Sequence, residues 1–413
     1  MKKILSNNKF IYYSLILIAI TLPLPMLINN IAIILFIITT LVHIFYTKNS
    51  FKFTKIHFAF ITFFLISFIS LYYTCNVNNG FKNLEKYLSF LVFPILISTI
   101  KISKEQLKHI LLVFAITTLL LFIVAILIAT YNSIETKSFI IYNPLNKVNE
   151  NYFFYHRLSK NVGFHAIYLG ILMVFSNVIF IENLISTKKN KSLLVIAIAI
   201  TSIGIILLQS FSVIFSYIII LLSFIIYYYK NISFKSKILL FIISTFIILF
   251  SIKIFIKKAK TFNQNFLLYT FSDDIDNRNW NSLNIRLAKW ECAIEVAHEN
   301  FPLGTGLGCQ QIQLNKKYNE KGFVIGMDKK FSTHNQYLHN LVQTGILGLI
   351  ILLLLYYLSI YTAIKTKNLV FLSLAILLIF TSVTENILSR NKGIVLFVFF
   401  ISLFSKKESL SKF

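Results

Sequence analysis

Residues 109–130 read HILLVFAITTLLLFIVAILIAT, a run without Asp, Glu, Lys or Arg. An α-helix needs roughly 20 consecutive apolar residues to cross the hydrocarbon core of a bilayer. Only helices and closed barrels satisfy all of their backbone hydrogen bonds in lipid, and no segment here alternates with the period of a strand. The run therefore predicts a transmembrane helix.

Similar runs recur along the whole chain of 413 residues, which is 57% hydrophobic and only 13% charged. A soluble protein of this length has more charge and less apolar surface. The sequence predicts an all-α, polytopic integral membrane protein with about 12 transmembrane helices. The apolar segments lie near 10–27, 29–46, 56–74, 84–100, 109–130, 161–181, 192–208, 210–229, 237–256, 336–360, 368–384 and 393–405.

The net charge of +25 comes from 40 Lys+Arg against 15 Asp+Glu. The lysines fall mainly in every second connection between the apolar segments, which the positive-inside rule places in the cytoplasm together with both termini. Because these lysines are scattered rather than clustered on one domain, we expect membrane lipids and no nucleic acid as partners.

The orientation divides the chain into three parts that form one membrane domain. Residues 1–256 carry about nine spans, residues 257–335 form one large loop on the outer face, and residues 336–413 carry the last three spans. A long loop in a compact protein is usually functional or disordered. The outer loop is therefore where we expect the chemistry.

Within this loop, Arg286 and Trp290 are four residues apart and share one face of a predicted helix. A guanidinium binds two phosphate oxygens at once, so Arg286 is a candidate clamp for a pyrophosphate. The alternative is an arginine that extends toward lipid headgroups.

His334 stands at the start of a new apolar segment. Its imidazole can accept a proton near neutral pH, as a general base must, although a histidine at the end of a span is more often a hydrogen-bonding residue. Asn335 beside it is placed to orient the ring or a sugar hydroxyl. His339 is five residues on and does not form an i, i+4 metal pair with His334, and we predict no metal site.

Pro302, Gly304, Gly306 and Gly308 predict a compact turn after the helix. The glycines allow a sharp turn and a close backbone approach. A contact between the amides of Gly304 or Gly306 and phosphate is the less favoured alternative.

Basic and titratable groups also gather elsewhere on the outer face. They are candidates for holding a lipid phosphate, or they are ordinary interfacial anchors. Several basic groups on one surface favour an anionic substrate. The candidates for substrate binding are His156, Arg157, Lys160 and His165 before one span and Arg390 near the last.

The chain has three cysteines. Cys292 and Cys309 flank the glycine turn and are candidates for a disulfide in an oxidising compartment. The alternative is that both are unpaired.

Several motifs in order resemble the O-antigen ligase and polymerase family. They are R-x3-W at Arg286 and Trp290, FPLGTGLG at 301–308, STHNQYL at 332–338, QTGILG at 343–348 and TENILSRNKG at 384–393. The layout of twelve spans with one large outer loop extends the likeness over the whole chain. In one departure, the family's usual Ser-Arg pair at a middle span is Ser210-Phe211 here.

The resemblance implies a type C-like membrane glycosyltransferase that needs neither a metal nor a nucleotide sugar and has no cofactor. Its donor would be a glycan on undecaprenyl pyrophosphate, and transfer would occur on the periplasmic face of a bacterial inner membrane. Arg286 would bind the pyrophosphate, and His334 would be the base or would bind the acceptor hydroxyl. Arg157 or Lys160 would replace the missing arginine.

The residues leave several activities open. The acceptor would be a lipid in a ligase, the growing glycan in a polymerase, or a protein in an oligosaccharyltransferase. A flippase for lipid-linked oligosaccharides is the alternative from another class, but transporters place charged groups at mid-membrane depth, and these spans are nearly free of charge.

Overall fold

The computed structural model describes residues 9–47, 50–143, 148–187, 190–228, 271, 280 and 283–406. Ten of the twelve predicted apolar segments lie wholly within these ranges, and the segment 210–229 does so except for its last residue. Each of these eleven overlaps at least one helix, and the segment 237–256 lies outside the described residues. The helices are α1 (Lys9–Thr21), α2 (Met26–Thr47), α3 (Lys55–Ile69), α4 (Val77–Tyr87), α5 (Ser89–Thr99), α6 (Lys104–Glu135), α7 (Tyr155–Lys160), α8 (Ala166–Ser186), α9 (Lys191–Leu207), α10 (Phe211–Tyr228), α11 (Asn284–Glu299), α12 (Gln310–Glu320), α13 (Val324–Asp328), α14 (Gln336–Lys365), α15 (Leu369–Ser382) and α16 (Asn391–Phe404).

Six helical segments in the described ranges are long and apolar enough to cross a membrane. Four shorter apolar helices, α1, α9, α15 and α16, accompany them. This confirms a helical polytopic membrane protein, while the count of about twelve spans stays a prediction. The six segments are Met26–Thr47, Lys55–Tyr72, Lys104–Glu135, Ala166–Ser186, Phe211–Tyr228 and Gln336–Lys365.

One short β-hairpin departs from the all-helical prediction. Ile140–Asn143 pairs antiparallel with Val148–Asn151, and Ile140 lies opposite Asn151. Strands of four residues are too short to show a clear alternation in the sequence, although Ile and Tyr favour an extended chain. The hairpin connects α6 to the short helix α7.

The helices differ in how much of their surface they bury. In α8, 78% of the residues in its apolar membrane-spanning stretch are buried, because the helix packs between α6, α9 and α15. In α2, only 28% of the corresponding residues are buried. A helix that is apolar all round is either central or faces lipid, so α8 is central in the described bundle and most of the α2 surface is left for lipid.

The described part of the outer loop has a small core of its own. One face of α11 places Ala288, Cys292 and Val296 at helical spacing against Tyr318 and Phe323. Residues three and four apart on α11 share this face, which leaves Arg286 and Trp290 on other parts of the helix surface. The described part of the outer loop therefore packs around apolar residues of its own.

The predicted glycine turn forms between α11 and α12. Gly304 and Gly306 both have positive φ angles, of 76° and 80°, which an L side chain rarely adopts. The turn pairs with a break in α14, where Gly345 has φ 67° and ψ −158°. The amides of Thr305 and Gly306 donate to the carbonyls of Val342 and Gln343 at 2.8 and 2.9 Å. The turn thus supplies hydrogen-bond donors to two carbonyls that the break in α14 would leave unpaired.

The predicted Cys292–Cys309 disulfide is wrong. Cys309 is instead bonded to Cys75, at a Cα–Cα distance of 5.6 Å and a separation of 234 residues, and Cys292 is a buried free thiol. Cys292 packs into the core of the outer loop, against the other buried residues of that cluster. The bond joins the glycine turn to the connection between α3 and α4, which the charge pattern places on the same outer face.

Candidate active site

His334 lies directly before α14, at the junction of the outer loop and the membrane helices. Its Nδ1 is 3.4 Å from Oε2 of Glu385, which precedes α16. The His334 side chain is 30% exposed, whereas that of Glu385 is 7% exposed. The imidazole is therefore accessible to a substrate, and the carboxylate behind it is shielded.

Glu385 stays ionised in spite of its burial. Burial raises the pKa of the carboxyl, but the hydrogen bond with the His334 imidazole, the Asn386 amide and, when it is protonated, His165 hold the pKa below its ordinary value. A buried carboxylate beside an imidazole orients the ring and stabilises its protonated form. The pair has the chemistry of an oriented general base.

Asn386 fixes the backbone on both sides of His334. Its Oδ1 accepts hydrogen bonds from Thr333 Oγ1 at 3.0 Å and from the Asn335 amide at 2.7 Å. Trp290 Nε1 donates to the Thr333 carbonyl at 3.1 Å. His334 itself has a φ of 47°, in the left-handed region that few non-glycine residues adopt. A conformation of this kind persists only where its surroundings hold it.

Arg286 is half-buried on α11 and lies within electrostatic reach of the same two groups as Glu385. Burial raises the pKa of Tyr155, which the charge of Arg286 lowers and that of Glu385 raises. Burial and the charge of Arg286 lower the pKa of Lys289 to about 7, against the opposing effect of Glu385. Arg286 and Glu385 therefore both act electrostatically on Tyr155 and Lys289.

Two further histidines, His156 and His165, lie within electrostatic reach of Glu385. The rings of His156 and His165 are 4.0 Å apart. Burial, together with His165 and Lys160, lowers the pKa of His156 to about 4. Burial likewise lowers the pKa of His165, although the charge of Glu385 opposes this effect. Both imidazoles are uncharged at neutral pH and can bind a substrate through hydrogen bonds.

A cavity of about 410 Å³, here the Arg390 cavity, opens beside these histidines. It contains three cationic side chains and, among the described residues that form its wall, no carboxylate. Apolar groups from α2 and α8 complete it. Its lining is Met26, Lys86, Gly163, Phe164, His165, Tyr168, Ser389, Arg390, Asn391 and Lys392.

A second cavity of about 410 Å³, here the Gln310 cavity, adjoins the first through the shared residues Lys86 and Ser389. Polar amide side chains dominate its wall. Its lining is Asn79, Lys82, Asn83, Lys86, Tyr87, Leu307, Gly308, Gln310, Gln311, Ile312, Ser332, His339, Gln343, Asn386 and Ser389.

The residues predicted from the sequence fall into two groups. His165 and Arg390 line the Arg390 cavity. His334 contacts Glu385, and neither His334 nor Arg286 lines either cavity. Arg157 and Lys160 do not line the two cavities, and the Arg157 guanidinium instead lies over the Tyr152 ring at 5.2 Å.

The four other predicted substrate-binding positions already have partners within the protein. Trp290, predicted to bind substrate from the face it shares with Arg286, donates to the Thr333 carbonyl. Asn335 Oδ1 caps α14 by accepting from the amides of Tyr337 and Leu338. The Gly304 amide donates to the Asn300 carbonyl, and the Gly306 amide to that of Gln343. These contacts explain why Asn335 and the glycines are needed structurally, and binding of substrate by them stays a prediction.

Sequence reasoning missed the roles of Glu385, Asn386 and Lys289. The first two belong to the TENILSRNKG motif, but no role was predicted for them, because their contacts with His334 and Thr333 cross about fifty residues of sequence. Lys289 follows Arg286 by one helical turn, and that spacing was the one available signal. Within the described ranges, no group of three or more His, Cys, Asp or Glu is arranged to hold a metal ion.

Residues 196–353 match the family model described as O-antigen ligase. The match confirms the resemblance drawn from the motifs and supports the O-antigen ligase and polymerase family. This family consists of membrane glycosyltransferases and implies a lipid-linked glycan as substrate. A search of the curated proteins gave no match.

Proposed function

We propose that this chain, which carries the O-antigen ligase family match over residues 196–353, transfers a glycan from undecaprenyl pyrophosphate to an acceptor hydroxyl at the outer face of a bacterial inner membrane. The observation that carries the proposal is the His334–Glu385 pair, which lies beside a cationic cavity and within electrostatic reach of Lys289, a neighbour of Arg286.

The Arg390 cavity suits the diphosphate of a lipid-linked donor. Lys86, Arg390 and Lys392 supply positive charge, and Met26 and Phe164 supply apolar surface next to the membrane helices. An arginine fork binds phosphate oxygens in pairs, and lysines act as point charges. Phe211 stands where the family usually has an arginine. Arg390 and these lysines, rather than Arg157 or Lys160, would supply the positive charge of that missing arginine.

His334 would act as the general base. The Glu385 carboxylate holds the proton on Nδ1, which leaves the Nε2 lone pair to accept the proton of the acceptor hydroxyl. The hydroxyl oxygen then bonds to the anomeric carbon while the bond from that carbon to the diphosphate breaks. The diphosphate leaves with the electron pair, and no metal is needed to take up its charge.

Arg286 would stabilise the charge that grows on the departing diphosphate. A positive group placed where charge develops lowers the barrier more than one that binds the ground state equally well. Lys289, whose pKa of about 7 reflects burial and the neighbouring Arg286, adds further positive charge when it is protonated.

The test uses purified full-length protein in proteoliposomes with a polyprenyl-pyrophosphate-linked glycan and a set of lipid, glycan and peptide acceptors. Arg286→Ala and His334→Ala are each expected to reduce transfer by at least about 100-fold. Lys316→Ala, at an exposed position on α12, is the control. Normal transfer by both site variants, or movement of the donor across the membrane without transfer, would refute the proposal. The kind of acceptor that receives the glycan distinguishes a ligase from a polymerase.

A further inference from the structure

The wall of the Gln310 cavity is rich in side chains that form hydrogen bonds. Six of its lining side chains are Asn or Gln, and two are Ser. Amide and hydroxyl groups both donate and accept hydrogen bonds, as the vicinal hydroxyls of a sugar do. The volume of about 410 Å³ lies within the roughly 300–1,000 Å³ of small-molecule sites.

The floor of this cavity is a buried polar network. Gln310 Nε2 and Asn386 Nδ2 lie 2.6 and 3.3 Å from Nδ1 of His339, and Tyr87 donates to Gln343 Oε1 at 3.0 Å. Burying so many polar groups costs free energy unless they are paired. The network is therefore a fixed surface, held in place before any ligand binds.

The rim of the cavity is positively charged. Lys82 and Lys86 both line it, and none of the described residues in its wall is Asp or Glu. Lys86 Nζ donates to Asn83 Oδ1 at 2.8 Å, which directs the ammonium group along α4. A neutral sugar needs no such charge, whereas a carboxylate or phosphate on the sugar ring does.

The cavity also adjoins the proposed base. Asn386 in its wall follows Glu385 directly, and Ser332 precedes His334 by two residues. The Arg390 cavity, which meets this one at Lys86 and Ser389, carries the apolar surface suited to the lipid-linked donor. Because we assign the lipid-linked donor to the Arg390 cavity, the Gln310 cavity is left for the acceptor.

We propose that the Gln310 cavity binds an anionic sugar residue of the glycan acceptor, through amide contacts to the ring hydroxyls and through Lys82 and Lys86 to a carboxylate or phosphate group. This inference rests on the proposed function and names the class of acceptor for that site.

The experiment measures binding without donor, by calorimetry with the full-length protein in detergent. The probes are a hexuronate tetrasaccharide, its carboxyl-reduced neutral counterpart, and a tetrasaccharide of the neutral sugar that carries one phosphate. Tighter binding of the hexuronate indicates a carboxylate ligand, and tighter binding of the phosphorylated probe indicates a phosphate ligand. At least one of the two anionic probes should bind at least about tenfold more tightly than the neutral tetrasaccharide. The reason is that hydrogen bonds to charged groups are stronger than those between neutral groups.

Lys82→Gln and Lys86→Gln are each expected to weaken binding of the anionic probe about tenfold and to leave the neutral probe unchanged. Lys82 is exposed, so its variant remains informative even if Lys86→Gln fails to fold. Lys316→Gln is the matched control. Equal binding of charged and neutral probes, or unchanged binding by both lysine variants, would overturn the inference.

The two proposals can fail separately. His334→Ala should lose transfer and keep probe binding. Binding of an anionic probe by a protein that transfers no glycan would refute the proposed function and leave the cavity assignment standing. A protein that transfers glycan to acceptors but does not bind an anionic probe would refute the cavity assignment and leave the proposed function standing.

Discussion

Nδ1 of His334 lies 3.4 Å from the Glu385 carboxylate, across 51 residues of sequence and the two helices α14 and α15. Burial shields the carboxylate, and three neighbouring groups keep it ionised. The imidazole is thereby held with one nitrogen toward a fixed negative charge and the other available to a substrate.

Replacing Glu385 by Gln removes this charge and keeps the shape of the side chain. We expect the turnover rate to fall about 10²- to 10⁴-fold, the range of general-base contributions, with little change in the KM for the donor. Steady-state transfer in proteoliposomes measures both parameters. Glu299→Gln, which changes an exposed carboxylate and leaves its partner Lys317 paired with Glu320, should behave like the unmodified protein. An unchanged turnover rate in Glu385→Gln would show that the Glu385 carboxylate does not contribute to the transfer step.

Gly345 should not tolerate a side chain. A Cβ at this position would lie 2.0 Å from the Pro302 carbonyl oxygen, and φ is 67°. We expect Gly345→Ala to lower the free energy of unfolding by roughly 2–4 kcal/mol, from steric overlap together with backbone strain. Chemical denaturation in detergent gives this difference.

Gly322→Ala is the control for the strain alone. Its φ is 68°, but the nearest atom to an added Cβ is 3.9 Å away, so a loss of about 1 kcal/mol is expected. Equal losses in the two variants would mean that the close approach of the glycine turn to α14 contributes nothing.

The Cys75–Cys309 bond predicts a single alkylatable thiol in the denatured, unreduced protein, and that thiol should be Cys292. Mass spectrometry after alkylation counts it. Cys75→Ser should destabilise the protein by about 2–4 kcal/mol, because the bond restricts a long loop of the unfolded chain. Cys292→Ala keeps the bond and serves as the control. Alkylation of all three cysteines without a reductant would contradict the pairing.

His156 should make the protein less stable in acid. Its pKa of about 4 in the folded state lies below the value of 6.5 for an unperturbed imidazole, so the unfolded chain binds more protons between these values. The stability that the neutral imidazole contributes is present above pH 6.5 and is lost as the pH falls toward 4. Protonation would also abolish the hydrogen bond that Nδ1 accepts from the Ala166 amide at 3.4 Å.

Thermal melting between pH 7 and pH 4 tests this expectation. His156→Gln should show a smaller loss of Tm over that range than the unmodified protein, since its side chain does not titrate. His298→Gln, on the outer surface at the end of α11, should retain the full pH dependence. A larger loss of Tm between pH 7 and pH 4 in His156→Gln would contradict the prediction that His156 destabilises the protein in acid.

Local sequence patterns were sufficient for the parts of the fold that depend on neighbouring residues. The apolar runs predicted every described membrane helix, because a helix in lipid satisfies its hydrogen bonds within its own segment. The glycine turn was predicted for a similar reason, since positive φ angles at Gly304 and Gly306 are a property of those residues alone. The motifs around Arg286 and His334 indicated the family that the match over 196–353 supports.

The pairings between distant segments were decided only by the tertiary structure. Cys309 bonds to Cys75 rather than to Cys292, because the core of the outer loop turns Cys292 inward. Glu385 meets His334, and Lys86 borders both cavities, because the helices between them bring their ends to one face. The sequence by itself determined which segments enter the membrane and which residue types are available for chemistry. Which of those residues face one another depends on helix packing over hundreds of residues, and no local pattern encodes that.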